Sequence, residues 1–322
     1  MTFTFHQTKR INMQINRRLL SAYLLALSLG ATAITPARAG ERVSLMDVHG
    51  LSYSADGKWI MVPSHQGIAI YEDGRWSKAD GPAHDYMGYS ATRDALYSSG
   101  HPAPGSGPTN PLGLIKSGNG GKSWKQLGLE GESDFHLLAT SYATNAVYVL
   151  NHGPNSRMSK PGIYYTKNDG LKWTLAAAKG LGGDLKSLAV HPNDVGIVAA
   201  GTADGLYLSR NSGESFERLA GSQPVVGASF DLDGRHLWFS TYAGKASLMR
   251  LALSAGAKPQ ALPIPPLTED AVAYIAQNPV RRDEIAIATF KRSVFLSKDQ
   301  GRTWTAIAQN GETQKPMKEA NR

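Results

Sequence analysis

The chain has 322 residues, with 34 Lys or Arg, 26 Asp or Glu and a formal net charge of +8. Five of the basic residues and none of the acidic ones fall within residues 1–39, so 29 basic and 26 acidic residues remain in the rest of the chain. That small excess, without a clustered basic stripe, excludes a nucleic-acid partner. The chain has no cysteine, which excludes disulfides, thiolate catalysis and cysteine-ligated zinc.

The first 39 residues predict export. Arg17-Arg18 precedes a mostly apolar run over 19–33, and an Ala-Arg-Ala cleavage pattern ends at Ala39. This order is typical of a secretory signal peptide, and the run is too short for a convincing membrane span. We expect a signal peptide over residues 1–39 and a mature chain from Gly40. That chain should be a periplasmic monomer with no membrane span; full secretion is the second choice.

One octapeptide recurs along the mature chain, with the pattern Ser-x-Asn/Asp-x-Gly-x-Ser/Thr-Trp and some variation. Its aromatic position falls at residues 124, 173, 216 and 304, and a degenerate copy ends at Trp76. The spacing is 43 to 49 residues, with one double gap before the last copy, so six units result. Units of this length with four strands each are the signature of a propeller. We therefore predict an all-β, six-bladed β-propeller of four-stranded blades over 40–310, followed by a polar tail over 311–322.

The octapeptide resembles the Asp-box of BNR-repeat proteins, in which it forms the turn between the third and fourth strands of a blade. The Asn or Asp side chain can bond to nearby backbone amides, the glycine permits a positive φ, and the aromatic ring packs between blades. The boxes are thus predicted to be structural rather than catalytic. The predicted box residues are Ser117, Asn119, Gly121, Trp124, Asn168, Gly170, Trp173, Asn211, Gly213, Phe216, Asp299, Gly301 and Trp304.

Further stretches are similar to a bacterial group of BNR proteins of sialidase-like fold that are described as glycosyl-hydrolase-like and have no established activity. These stretches are His49-Gly-Leu, Ser99-Gly-His101-Pro, Asn110-Pro-Leu-Gly-Leu and Ser133-Asp-Phe-His136. Sialidases share the fold, but they bind the substrate carboxylate with three arginines. Here Arg157 and Arg292 are the only arginines expected on the relevant rim, so the resemblance does not extend to sialidase activity.

Each of the first three blades carries a polar pair whose members are sixteen positions apart. The pairs are His49 and His65, Asp85 and His101, and His136 and His152. The first member starts the innermost strand and the second ends its antiparallel neighbour, so all six should meet at one mouth of the propeller. Imidazole and carboxylate groups suit zinc or copper, and we hypothesise a site for such a metal there. The same groups also suit acid–base catalysis or plain hydrogen bonding to loops, and the sequence does not decide among the three.

Two function classes remain open. The first is a binding or scaffold module that takes a glycan, a metal or a protein at the histidine-rich rim. The blade-2 loop (102–111) and the blade-3 loop (151–161) leave from that rim, and such loops usually carry the binding function of a propeller. The alternative is a glycoside hydrolase, which needs two carboxyl groups at a defined separation. The carboxyl groups expected on the rim are Asp47, Asp85, Asp134, Glu269 and Asp270, of which the last four are weak catalytic candidates. A rim rich in histidine and poor in arginine favours the binding class.

Overall fold

The computed structural model describes residues 43–313. The predicted signal peptide and residues 314–322 of the predicted tail lie outside this range. Within it, every regular element is a strand, and the 25 strands form six antiparallel sheets. The prediction of an all-β propeller with six four-stranded blades is therefore confirmed. No helix in the described range is long and apolar enough to cross a membrane.

Each blade is a meander in which consecutive strands pair in chain order. Blade 1 contains β1 (Ser52–Tyr53), β2 (Ile60–Ser64), β3 (Gly67–Glu72) and β4 (Arg75–Lys78). Blade 2 contains β5 (Asp85–Ala91), β6 (Leu96–His101), β7 (Leu114–Ser117) and β8 (Lys125–Gly128). Blade 3 contains β9 (Leu138–Thr140), β10 (Val147–Asn151), β11 (Gly162–Thr166) and β12 (Thr174–Leu175). Blade 4 contains β13 (Leu185–Val190), β14 (Val198–Thr202), β15 (Gly205–Ser209) and β16 (Glu217–Ala220). Blade 5 contains β17 (Val225–Phe230), β18 (His236–Tyr242), β19 (Ala246–Ala252) and β20 (Gln260–Leu262). Blade 6 contains β21 (Val272–Gln277), β22 (Ile285–Thr289), β23 (Val294–Ser297), β24 (Thr305–Gln309) and β25 (Glu312–Thr313).

Burial falls from the second strand of a blade to the fourth. In blade 4 all five residues of β14 are buried, whereas β16 has two exposed and two half-buried residues. The inner strands are runs of mostly apolar residues because both of their faces pack against neighbouring blades. The fourth strands face water on their outer side and carry charged residues. This gradient orients each blade with its first strand toward the axis.

The first strands of the six blades line a central channel. His49 and His136 precede the first strands of their blades, and Pro192 and Pro279 follow the first strands of theirs. All four residues line the channel, so the two pairs mark its opposite mouths. The mouth at His49 and His136 is the rim on which the sequence places its polar pairs.

Blade 6 packs against blade 1, and the chain before blade 1 pairs with β25 through a single bridge between Ser44 and Glu312. The indole of Trp76 in β4 donates to a backbone carbonyl of β24 at 2.9 Å. The chain before blade 1 runs along the end of blade 6, where the Leu45 amide donates to the Gly311 carbonyl at 2.8 Å. The short strand β25 pairs with β24, so blade 6 continues past the predicted end of the propeller at residue 310.

The four clear copies of the octapeptide each form the turn between the third and fourth strands of a blade. In blade 4, Ser209 Oγ accepts from the Gly213 amide at 2.8 Å and donates to Asn211 Oδ1 at 2.9 Å. Asn211 Oδ1 in turn accepts from the Ser215 amide at 3.0 Å. The boxes of blades 2, 3 and 6 repeat these bonds. Gly213 has a φ of 85°, which explains why glycine recurs at this position.

Candidate functional site

Two groups of side chains occupy the rim at the histidine mouth. The first cluster comprises Asp47, His49, His65 and Asp85, and the second cluster comprises His101, Asp134 and His136. The four histidines and Asp85 follow from the blade meander, because the start of a first strand and the end of a second strand lie side by side in an antiparallel pair. Asp85 and His101 are direct partners across β5 and β6. This pair places the two clusters next to each other.

In the first cluster, two imidazoles of blade 1 face two carboxylates. The rings of His49 and His65 stack with centroids 4.8 Å apart. His49 Nε2 lies 3.6 Å from Asp85 Oδ1 and 3.9 Å from Asp47 Oδ2. His65 Nε2 lies 3.5 Å from Asp47 Oδ2 and 3.7 Å from Asp85 Oδ2. These separations exceed a hydrogen bond. They are close to the roughly 3.4 Å between neighbouring ligands of a tetrahedral ion with metal–ligand bonds of about 2.0–2.1 Å.

Two polar atoms at the centre of this cluster are buried without a partner. His49 Nε2 and Asp85 Oδ1 make no hydrogen bond, although both atoms are shielded from solvent. Such atoms normally have a partner in proteins, since burial without one costs free energy. Burial also lowers the pKa of His49 below its ordinary value, against the opposing charges of Asp47 and Asp85. A lowered pKa favours the neutral imidazole, which is the form that binds a metal.

In the second cluster, one carboxylate oxygen meets two imidazoles. Asp134 Oδ2 lies 2.7 Å from His136 Nε2 and 3.2 Å from His101 Nε2. The other oxygen, Asp134 Oδ1, is buried and has no hydrogen-bond partner. His101 Nδ1 lies 2.7 Å from Asn110 Oδ1, an oxygen of the blade-2 loop.

The two long loops hold the segment that carries Asp134. The Thr109 amide of the blade-2 loop donates to Glu130 Oε1 at 2.7 Å. The Ser156 amide of the blade-3 loop donates to Glu132 Oε2 at 2.6 Å. The insertions in blades 2 and 3 are thus tied to the short connection between those blades. They fix the carboxylate of the second cluster rather than extending freely into solvent.

His152, which the sequence places in the metal site, is not part of either cluster. It is exposed and makes no hydrogen bond or ion pair with the described residues. In blade 2, a bulge between Met87 and Ser90 adds one residue to the first strand. The paired residues of β9 and β10 have no such bulge, and their register carries His136 toward Asn151. An alignment without gaps is therefore off by one residue in blade 3. It is off by one in blade 1 as well, where the register carries His49 toward Ser64, yet His65 still stacks on His49.

The metal prediction leaves out two cluster members, Asp47 and Asp134. Asp47 precedes β1 in a segment with no strand periodicity, so blade alignment gives it no equivalent position. Its proximity to His49 in the chain is the only signal for it in the sequence.

The carboxyl groups named as weak catalytic candidates do not form one pair. Asp85 belongs to the first cluster and Asp134 to the second. Asp270 is buried, and its Oδ1 accepts from the backbone amides of Ala271 and Lys291 at 2.8 and 3.0 Å. Glu269 is exposed, with a carboxylate oxygen 3.7 Å from Lys291 Nζ. Asp270 therefore holds a loop of blade 6, and Glu269 points into solvent beside it.

Comparison with known proteins identifies the fold and no family. No family model matches the chain, and no curated protein matches its sequence. A GH74 xyloglucanase from Xanthomonas campestris superposes with a TM-score of 0.54 at 15% identity, over 83% of this chain and 46% of that one. A GH74 enzyme from Niastella koreensis gives a TM-score of 0.55 at 16% identity, with the same coverage. A structure of YCF48 bound to D1 peptide gives 0.48 at 16% identity, over 83% of both chains. The chain thus spans less than half the length of the GH74 enzymes, and the likeness is one of fold alone.

Proposed function

We propose that this protein is an exported binding module that holds a divalent transition metal, zinc or copper, in the first cluster. The observation that carries the proposal is the pair His49 Nε2 and Asp85 Oδ1. The two atoms are buried, have no partner and lie 3.6 Å apart. A cation held by Asp47, His49 and His65, whose ligand atoms all lie within 4.8 Å of one another, would satisfy His49 Nε2 and stand beside the Asp85 carboxylate. Two imidazoles and two carboxylates are donors that zinc and copper both accept.

A second histidine–carboxylate group in the same chain shows what a satisfied cluster looks like. Asp231, Asp233 and His236 also bring their ligand atoms within 4.8 Å of one another. There, however, the Arg250 guanidinium lies 2.7 Å from Asp231 Oδ2, and the Trp238 indole donates to Asp231 Oδ1. The Arg250 guanidinium therefore occupies the place beside these carboxylates that a metal ion would take. No Lys or Arg side chain forms an ion pair with the first cluster among the described residues.

The metal would sit at the channel mouth, beside the blade-2 and blade-3 loops. His65 is about half exposed, with 46% of its side chain accessible, whereas His49 is 13% accessible. The cluster is therefore anchored on its inner side and open on its outer side. A glycan or protein ligand reaching the mouth could contact the metal and the two loops together, which suits a monomeric binding module.

The test is metal content of the full chain, purified without a histidine tag. We expect zinc or copper to bind with near one-to-one stoichiometry or higher, and His49→Ala to lose an equivalent while keeping the wild-type circular dichroism spectrum. His236→Ala is the matched control, because it removes an imidazole from the filled group and should leave binding unchanged. Absence of binding at micromolar metal, or equal loss in both variants, would refute the proposal.

The hydrolase alternative is supported by the fold alone. The two GH74 neighbours are enzymes, and one is named a xyloglucanase. In this chain Asp85 and Asp134 lie in separate histidine clusters, Asp270 accepts from loop amides and Glu269 lies beside Lys291, so the candidate carboxyl groups do not form a pair. A panel of glycosides that includes xyloglucan, assayed with and without added zinc, would reveal turnover if the rim is catalytic after all.

A further inference from the structure

The second cluster also consists of side chains that bind metals, and none of them belongs to the site proposed in the first cluster. Its three side chains come from three separate places: the end of β6, the connection between blades 2 and 3, and the residue pair before β9. His101 and His136 both turn Nε2 toward the same oxygen, Asp134 Oδ2, at 3.2 and 2.7 Å. Two imidazoles and a carboxylate are three of the ligands that a catalytic or transport zinc site uses.

The orientation of His101 is fixed by its other neighbour. The amide oxygen of Asn110 can only accept a hydrogen bond, so His101 Nδ1 donates to it at 2.7 Å. The opposite ring nitrogen, Nε2, is thereby aimed at Asp134 Oδ2, 3.2 Å away. Metal-binding histidines commonly donate the opposite ring N–H to an oxygen in this way, which fixes the tautomer and aims the free nitrogen at the metal.

A second, separate observation concerns the carboxylate. Asp134 Oδ1 is buried without a hydrogen-bond partner, as Asp85 Oδ1 is in the first cluster. Both long loops hold the Asp134 segment through hydrogen bonds to Glu130 and Glu132. The chain therefore fixes a half-buried carboxylate that has one oxygen, Oδ2, between two imidazoles and the other, Oδ1, without a partner.

We propose that the second cluster binds a second divalent transition metal through His101, Asp134 and His136, so that the rim holds two neighbouring ions. The kind of metal is taken from the proposed function of the first cluster, whereas the location of the second site is argued from its own residues. The pairing of Asp85 with His101 makes the two ions neighbours. The two imidazoles flank Asp134 Oδ2 from different sides, and the group does not bring all its ligand atoms within 4.8 Å. His136 must rotate to close the site, which its 55% exposure permits, so the second ion binds more weakly than the first.

The test is a calorimetric titration of the metal-free full chain with zinc chloride. We expect two equivalents in the wild type, the second weaker. His101→Ala and His136→Ala should each bind one equivalent, and His49→Ala should keep only the weaker one. Asn110→Ala should weaken the second site by roughly 10–100-fold, because it frees the His101 tautomer. His152→Ala is the matched control: it removes an exposed histidine near the same mouth and should keep both equivalents.

The outcomes separate the two proposals. A single equivalent in the wild type, lost in His49→Ala and unchanged in His101→Ala, refutes the second site and leaves the first standing. Two equivalents that His101→Ala and His136→Ala both retain also refute it. No binding at all refutes both. If either alanine variant melts far below the wild type, the glutamine variant at the same position, His101→Gln or His136→Gln, takes its place. Glutamine keeps the polarity and most of the volume of histidine but lacks the imidazole.

Discussion

Replacing Ser209 by alanine should destabilise the propeller, because the hydroxyl is the acceptor on which a box turn is built. The side chain is 1% exposed. Its Oγ accepts from the Gly213 amide at 2.8 Å and orients Asn211 by donating to its Oδ1 at 2.9 Å. Alanine leaves the buried Gly213 N–H without an acceptor. An unsatisfied buried donor costs about 1–3 kcal/mol, and this is the expected loss of unfolding free energy.

The assay is thermal unfolding followed by far-ultraviolet circular dichroism. For a chain of this size each kcal/mol lowers the midpoint by about 2–4 °C. Ser215→Ala is the matched control, because Ser215 belongs to the same box but is exposed, and it should stay within about 0.5 kcal/mol of the wild type. Ser209→Thr should retain the bonds, since Thr166 serves the same position in blade 3. Two results would refute this prediction: a Ser209→Ala variant with the melting temperature of the wild type, or a Ser215→Ala variant that loses as much unfolding free energy as Ser209→Ala.

Three further outcomes are expected. Gly88 has a φ of 48°, and a Cβ there would lie 1.7 Å from the Phe135 carbonyl oxygen. Gly88→Ala should therefore lower the free energy of unfolding by at least about 2 kcal/mol. Gly105 has a φ of 73° but open space around it, so Gly105→Ala should lower it clearly less, as measured by urea unfolding. Hydrogen bonds from Thr303 lower the pKa of Asp299 to about 2. Because the pKa of Asp299 is lower in the folded chain than in the unfolded one, the stabilisation by its carboxylate is present above about pH 4 and is lost as the pH falls toward 2. The difference in melting temperature between the wild type and Asp299→Asn should shrink over that range. A difference that stays constant would contradict this prediction. Zinc at a hundred times its dissociation constant should stabilise the wild type by about 2.7 kcal/mol, and a His49→Ala variant that melts with the same gain would count against the first cluster.

The fold could be predicted from the sequence because the box is a local structure. Its serine, asparagine and glycine bond to one another within five residues, as Ser209, Asn211 and Gly213 do. Such a turn needs no distant partner, so it leaves its pattern in the sequence at every blade. The spacing of the copies then counts the blades, and only the box-free blade 5 has to be inferred from a double gap.

The candidate site could be predicted only in part, because it depends on register and on loops. Asp85 and His101 face each other where alignment places them. His152 does not join them, although blades 1 and 3 share the same register and His65 reaches the first cluster in blade 1. Asp47 comes to the cluster from a segment outside the repeat. The role of Asp134 as partner of two histidines depends on hydrogen bonds from distant loops, which leave no periodic signal.

The box turns and the histidine rim lie at opposite ends of the blades, which makes stability and binding separable. A box joins the third strand to the fourth, whereas both clusters lie at the start of a first strand and the end of a second. In an antiparallel meander these points are on opposite rims. Ser209→Ala should therefore lower the melting temperature and still bind as much zinc as the wild type below its transition. His49→Ala should do the reverse, losing zinc with little change in the melting of the metal-free chain, because it removes a side chain whose Nε2 has no partner within the fold. Loss of zinc in the box variant would mean that the rim depends on the packing of the whole ring, and the clusters would then have to be treated as one unit with the blades.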